Sequence, residues 1–199
     1  MRRCRASESR RAILKVVHRN PLLEKISAHH PIDNHEAAMM ERLRCFVEAH
    51  ADCFKRTLQI GHITGSAWVV DLERAHALLT HHRKLNKWLQ LGGHADGDFD
   101  ILRVALREAR EESGLATIRP VSTAIYDIDI HVIPARGSEP EHLHYDVRFL
   151  LEADRTAPLL ASRESGSLAW TPLTRIAELN PEESMARMVA KTPAAIIEV

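Results

Sequence analysis

The sequence predicts an α/β protein: an α/β/α sandwich around a mixed β-sheet, with a helical extension at the N-terminus. Three observations support this fold class. A strand-rich region begins at Gly61, one strongly amphipathic helix follows it, and two alternating strands come after that helix. Elements in this order usually pack as layers, because each must bury one apolar face against another.

The composition is that of a soluble protein with one medium-sized domain. Of the 199 residues, 45% are hydrophobic and 27% are charged, which allows a sizeable core. Basic and acidic residues number 27 each, so the net charge predicts neither a nucleic acid nor a membrane as partner. Cys4, Cys45 and Cys53 are odd in number and lack metal-site spacing, which favours a reduced, cytoplasmic protein.

Residues 1–57 are predicted to be a basic N-terminus and helical extension, and residues 58–199 the main domain. The first 20 residues hold seven Lys or Arg and one Glu; a solvated terminus is expected, with a basic targeting segment as the alternative. Apolar residues then recur every three or four positions between Pro21 and about Arg56, with Asp33 and Asn34 as helix caps. This helical part is expected to cover the core, and it is also a candidate homodimer surface.

From Gly61 the pattern changes to strands. Residues 63–70 and 77–81 are β-rich and flank a turn, which predicts a hairpin. Arg83 and Lys87 follow, a few residues before Gly92. They are candidate contacts for substrate phosphates, although basic loop residues are more often simply solvated.

The chemistry is predicted to lie in residues 92–115, GGHADGDFDILRVALREAREESGL. After the two glycines, Asp98 and Asp100 can cap a helix that Ser113 and Gly114 end. On this helix three carboxylates fall on one edge at positions i, i+3 and i+4: Glu108, Glu111 and Glu112. Clustered carboxylates suit hard cations such as Mg²⁺ or Mn²⁺. The alternative is an ordinary solvated helix face with Arg–Glu pairs.

This segment resembles the Nudix box, G-x5-E-x7-R-E-U-x-E-E-x-G-U. Gly93 and the run from Arg107 to Leu115 match it in residue type and spacing. One position departs, since Phe99 stands where the family has its first glutamate, and the flanking Asp98 and Asp100 are candidates to replace that carboxylate in part. The resemblance implies the Nudix fold over roughly residues 58–180.

The resemblance also implies a reaction, the divalent-metal-dependent hydrolysis of a phosphoanhydride bond in a nucleoside diphosphate linked to another moiety. Glu111 and Glu112 would hold Mg²⁺ or Mn²⁺, helped by Glu108 and the Gly92 carbonyl, and Arg107 would orient a glutamate. The general base stays open: the candidates are Glu112, Glu141, Glu164 and Asp146.

A second polar feature lies on the two alternating strands after the helix. Residues 123–133 and 141–149 predict an antiparallel hairpin with one apolar face and one face of Asp, His and Arg. The candidate substrate contacts on that face are His142, His144, Asp146 and Arg148. A zinc site formed by His131, His142 and His144 is a further hypothesis, and a plain solvent-facing surface is the alternative.

Two other functions compete with the hydrolase. One is a non-catalytic Nudix-type module that binds a nucleotide and regulates a partner, with Phe99 as a sign of lost activity. The other is an isomerase of isoprenyl diphosphates on the same fold, which would need a cysteine near the glycine-rich loop; Cys45 and Cys53 come well before that loop in the sequence.

Overall fold

The computed structural model describes residues 18–83, 86–160 and 167–195. Within these ranges the chain forms five α-helices, one 3₁₀ turn and eight strands. The helices are α1 Asn20–Ser27, α2 Asn34–Ala49, α3 Ile101–Ser113, α4 Ile176–Leu179 and α5 Glu183–Lys191, and the 3₁₀ turn is Leu173–Arg175. The strands are β1 Gly61–Val70, β2 His76–His82, β3 Lys87–Leu89, β4 Leu91–His94, β5 Arg119–Pro120, β6 Asp127–Ile133, β7 His142–Glu152 and β8 Leu168–Pro172.

All eight described strands belong to one mixed sheet with β1 near its centre. β1 pairs antiparallel with β2 and β4 and parallel with β7. β7 pairs antiparallel with β5 and β6, and β2 pairs antiparallel with β3 and β8. Both predicted hairpins, β1–β2 and β6–β7, are therefore confirmed. The parallel β1–β7 register, which runs from Gly61 opposite Leu143 to Val70 opposite Glu152, was not predicted.

Helices cover both faces of this sheet, which confirms the α/β/α sandwich. α3 packs on the face of β1 that carries Gly65, where a Cβ atom would collide with Val104 and Ile101 of the helix. The absence of a side chain at Gly65 thus lets α3 approach the sheet closely. On the opposite face, Trp68 packs in a separate apolar cluster with Met185 of α5.

The N-terminal helices α1 and α2 share one hydrophobic core with the sheet and α3. Leu22 and Leu43 are fully buried in it, and the ring of Phe46 stacks on that of Tyr145 at 3.8 Å between centroids. Asp33 caps α2, as the sequence predicts. The boundary between residues 57 and 58 stays a prediction, and the basic residues 1–17 lie outside the described ranges. In the described ranges, no helix combines the length and apolarity needed to cross a membrane.

The buried carboxylate of Glu36 links α2 to residues near both ends of the described chain, His29 and Lys191. Glu36 is fully buried, and its oxygens accept hydrogen bonds from His29 at 2.9 Å, Lys191 at 2.6 Å and the Ile32 amide at 2.9 Å. Burial alone would raise the pKa of Glu36, but these hydrogen bonds and the Lys191 charge hold the pKa well below its ordinary value. The carboxylate is therefore ionised in the folded protein.

We expect Glu36→Gln to destabilise the fold by about 3 kcal/mol, because the Lys191 ammonium loses one of its two carboxylate partners in a buried site. Urea unfolding followed by circular dichroism measures this loss. Glu48→Gln on the same helix is the matched control, since the Glu48 side chain is 48% exposed and its pair with Arg44 is a surface pair. If both substitutions had an equal effect on stability, the assignment of Glu36 as a stabilising buried carboxylate would be wrong.

The same carboxylate makes stability depend on pH. Because the pKa of Glu36 is lowered on folding, its contribution is present above the ordinary value of 4.5 and is lost as the pH falls toward the folded-state pKa. We therefore expect the stability difference between wild type and Glu36→Gln to shrink between about pH 6 and pH 3. A difference that stays constant over this range would contradict the assigned ionisation.

Candidate functional site

Helix α3 presents the predicted carboxylates at the centre of the fold. Asp100 caps its first turn by accepting a hydrogen bond from the Arg103 amide, and Gly114 ends it with a φ of 70°. Ile101, Val104, Ala105 and Ala109 are buried against the sheet. This burial fixes the rotation of the helix, and with it the direction of the adjacent acidic edge.

The first carboxylate of that edge lies directly over the second glycine of β4. Gly93 stands opposite Gly65 in the antiparallel β1–β4 pair, on the face that α3 covers. A Cβ atom on Gly93 would overlap the Glu108 carboxylate. Glycine at position 93 therefore creates the space that Glu108 occupies. We call this site, where the acidic edge of α3 meets Gly93, the carboxylate corner.

Arg107 fixes this arrangement from the side. Its guanidinium donates to Glu108 Oε1 at 2.7 Å and to the His94 carbonyl at 2.9 Å. The hydrogen bond to Glu108 is the main reason that the pKa of Arg107 is raised above its ordinary value. The side chain thus orients Glu108 while tying α3 to the end of β4.

The remaining members of the predicted set lie near this corner. Glu111 is exposed and Glu112 is half-buried, one turn further along the same helix. Gly92 pairs with Ser66, and a Cβ on Gly92 would overlap the Ser66 side chain rather than the helix. Its carbonyl as a metal ligand stays a prediction.

Phe99, at the departing position, is 39% exposed and lies 5.1 Å from the His18 ring. The carboxylates on either side of Phe99 make local contacts. Asp98 forms a bidentate ion pair with Arg103, at 2.6 and 2.9 Å, and Asp100 caps α3. These contacts favour local structural roles for both aspartates over replacement of the missing glutamate.

The polar face of the β6–β7 hairpin is buried at its centre. The sequence alone did not decide whether this face meets solvent. Arg148 is 3% exposed and pairs with Asp146 at 2.8 Å, Asp127 at 3.1 Å and Asp129 at 3.2 Å. Burial alone would lower the pKa of Arg148, but the three carboxylates raise it. Arg187 of α5 covers the group and pairs with Asp127 at 2.7 Å. We call these five residues the buried ion network.

Asp146 is saturated within this network. Its two oxygens accept hydrogen bonds from four side chains: Thr64 at 2.9 Å, Ser66 at 2.7 Å, Gln90 at 3.2 Å and Arg148 at 2.8 Å. A carboxylate held in this way is poorly placed to accept a proton from water. Its position, like that of Arg148, favours a structural role over the predicted contact with substrate.

Toward the other end of the same face lies a group of five histidines, which we call the histidine cluster: His62, His94, His131, His142 and His144. Their ring centroids are 4.8–5.5 Å apart between neighbours. Burial lowers the pKa of His62 to about 4 and also lowers that of His94 and His144, so these rings are neutral at pH 7.

The sequence predicted the part of this cluster that lies on the hairpin, but not His62 and His94. His62 comes beside His144 through the parallel β1–β7 register, and His94 reaches the group from β4, opposite Thr64. No local sequence pattern reports a pairing between strands 82 residues apart. Their side chains point away from α3, because residues alternate between faces and Gly93 and Gly65 face the helix.

The other predicted residues are not brought to the corner by any described contact. Arg83 is exposed, and Lys87 is exposed and pairs with Glu182. Glu141 is exposed beside the hairpin loop, and Glu164 lies outside the described residues. Their roles with substrate or as general base stay predictions.

Comparison with protein-family models finds a match that begins in β1. The family model described as "NUDIX domain" matches residues 62–192. This match covers β1 to the end of α5 and includes the corner, the buried ion network and the histidine cluster. A search of curated proteins finds no match.

Solved structures share the fold at low sequence identity. A C. elegans Ap4A hydrolase in a binary complex superposes with a TM-score of 0.52 at 16% identity, over 65% of this chain and 93% of that one. The E. coli dihydroneopterin triphosphate pyrophosphohydrolase gives a TM-score of 0.51 at 13% identity, over 65% of this chain and 92% of that one. At these identities the likeness concerns the fold alone.

We expect Arg148→Met to destabilise the protein by about 3–5 kcal/mol, because it removes a buried cation that pairs with Asp127, Asp129 and Asp146. Chemical denaturation measures the loss. Arg119→Met is the matched control, since the Arg119 side chain is 68% exposed in its pair with Glu152. If Arg148→Met kept full stability and only raised KM, Arg148 would be a substrate contact and the structural role would be wrong.

Proposed function

Because the chain belongs to the Nudix family, we propose that it is a divalent-metal-dependent hydrolase of a phosphoanhydride bond. The substrate class is a nucleoside diphosphate linked to another moiety, such as an NDP-sugar or ADP-ribose. The observation that carries the proposal is the contact between the Glu108 carboxylate and Gly93, with Glu111 and Glu112 on the same helix edge. This contact gives the acidic edge a fixed place beside a backbone corner.

The residues at the corner fit a hard divalent cation. The side-chain donors are all carboxylate oxygens, which Mg²⁺ and Mn²⁺ prefer, and Glu108 keeps one oxygen outside its bond to Arg107. In this proposal Glu108, Glu111 and Glu112 hold the ion, with the Gly92 carbonyl as a further donor. When bound, such an ion neutralises diphosphate charge and lowers the pKa of water.

The chain's own groups supply position and proton transfer. Arg107 keeps Glu108 in place through its second hydrogen bond to the His94 carbonyl, so the helix edge cannot move independently of the corner. Glu112 is half-buried on the same edge and is the general base we favour, since Asp146 is held by four donors. Fixed charges of this kind lower the barrier because they need no reorganisation during the reaction.

A non-catalytic nucleotide-binding module is the second candidate, and Phe99 is the observation that favours it. The position of the family's first glutamate carries an exposed aromatic ring, and the neighbouring Asp98 and Asp100 are engaged in the loop and the helix cap. Such a module would bind the same nucleotides without turning them over.

An isoprenyl diphosphate isomerase is disfavoured by the state of Cys53. Cys53 lies close to the glycine loop in space, since the Gly97 amide donates to the carbonyl of the adjacent Phe54 at 2.8 Å. However, Cys53 is fully buried, and burial raises the pKa of its thiol to about 12. A thiol that stays protonated at neutral pH is a poor catalytic group.

The decisive experiment is a panel of NDP-sugars, ADP-ribose and Ap4A with Mg²⁺ or Mn²⁺, in which the products are identified. We expect release of a nucleoside monophosphate or an equivalent phosphoanhydride product, and no turnover in excess chelator. Nucleotide binding without any product would favour the regulatory module.

We expect Glu111→Gln and Glu112→Gln each to lower kcat by roughly 100-fold, the scale on which charge-stabilising groups act. Steady-state kinetics on the best substrate of the panel measures this loss. Glu183→Gln, an exposed position in the first turn of α5, is the control and should retain wild-type activity. Full activity in both corner variants would rule out this mechanism.

Gly93→Ala tests the corner by a different route. The new methyl group must displace the Glu108 carboxylate, so we expect divalent-metal affinity to fall about 10-fold while the unfolding midpoint changes little. Calorimetric titration with Mn²⁺ measures the affinity. Because both changes act through one carboxylate, Gly93→Ala and Glu108→Gln should be far from additive in the double variant. Fully additive losses would show that the glycine acts elsewhere.

A further inference from the structure

The histidine cluster lies on the face of the sheet opposite α3, and the proposed hydrolysis does not use it; contact of His142 and His144 with substrate stays a prediction. Three of its members, His62, His142 and His144, each offer a ring nitrogen, and these three atoms lie within 4.8 Å of one another. Two tetrahedral ligands at about 2.1 Å from a zinc ion are roughly 3.4 Å apart. Small side-chain rotations therefore bring the three nitrogens to bonding distance.

His62 gives an independent reason to expect a ligand. His62 is 3% exposed, and in the described part of the structure no group meets hydrogen-bonding geometry with either ring nitrogen, although the Leu58 carbonyl lies nearby. The buried Nε2 of His144 likewise lacks one. Buried polar atoms are almost always paired in native proteins, and a metal ion between these rings would pair one nitrogen of His62 and the Nε2 of His144.

A neighbouring carbonyl orients one of the three rings as in known metal sites. The Nδ1 of His142 donates to the Pro140 carbonyl at 2.9 Å, which leaves Nε2 with its lone pair for a metal. A backbone carbonyl or carboxylate on the far nitrogen is the usual partner of a metal-bound histidine.

We propose that His62, His142 and His144 form a zinc site, with the fourth position open to water or to His94. Three imidazoles are a donor set for Zn²⁺ or a similar transition ion and a poor one for Mg²⁺. The site joins the beginning of β1 to the mouth of the β6–β7 hairpin. It differs from the carboxylate corner in its donor atoms and in the face of the sheet on which it lies.

The test uses the full chain, stripped with chelator and dialysed against buffer that contains Zn²⁺ or Co²⁺. We expect one equivalent of Zn²⁺ by elemental analysis and the absorption bands of four- or five-coordinate Co²⁺. With Zn²⁺ at a hundred times its Kd, the thermal midpoint should rise by roughly 5–10 °C. A wild-type protein that retains no zinc under these conditions would overturn the proposal.

Variants locate the site. His142→Asn and the double variant His142→Asn/His144→Gln should lose the zinc and the Co²⁺ bands, with circular dichroism as the check on folding. The double variant His30→Gln/His35→Gln removes two exposed histidines and should bind zinc as the wild type does. Glu111→Gln/Glu112→Gln should also keep it, which separates this site from the proposed catalytic one.

Two results would contradict the assignment. One is undiminished zinc in the well-folded His142→Asn/His144→Gln variant. The other is zinc that disappears with Glu111→Gln/Glu112→Gln, because the ion would then belong to the carboxylate corner. If the histidine variants change only KM and the wild type holds no zinc, the cluster contacts substrate and the zinc site is wrong.

Discussion

The fold depends on charges that are buried and paired between β6, β7 and α5. Arg148 and Arg187 hold Asp127, Asp129 and Asp146 beneath the C-terminal helix, and Lys191 links Asp127 to Glu36 of α2. Removing one partner leaves an uncompensated charge out of water, which costs far more than a surface pair. These contacts therefore hold the N-terminal helices, the sheet and the C-terminal helix in one arrangement, and both candidate sites lie on that frame.

The two faces of the sheet carry different chemistry because residues alternate along β1 and β4. Gly65 and Gly93 face α3 and make room for the helix and its carboxylate, whereas Thr64 and His94 face the other way. A single pair of strands thus separates an oxygen-donor corner from a nitrogen-donor cluster. Arg107 connects them through the His94 carbonyl.

Local patterns in the sequence predicted the local structure well. The caps of α3, its acidic edge and the β6–β7 hairpin depend on residues close together in the chain, and each is found where expected. The parallel β1–β7 pairing was missed, because its register depends on distant residues. For the same reason, the burial of Arg148 and the presence of His62 in the histidine cluster could not be seen: both depend on what packs against a strand face.

The long parallel register of β1 and β7 also bears on how the protein matures. Partners such as Thr64 and Asp146 are 82 residues apart, and closing such a span costs chain entropy before any contact repays it. During synthesis on the ribosome, β1 cannot pair with β7 until the chain has been made as far as β7. One edge of β1 therefore lacks this partner while 82 further residues are made, and neither site can exist until then.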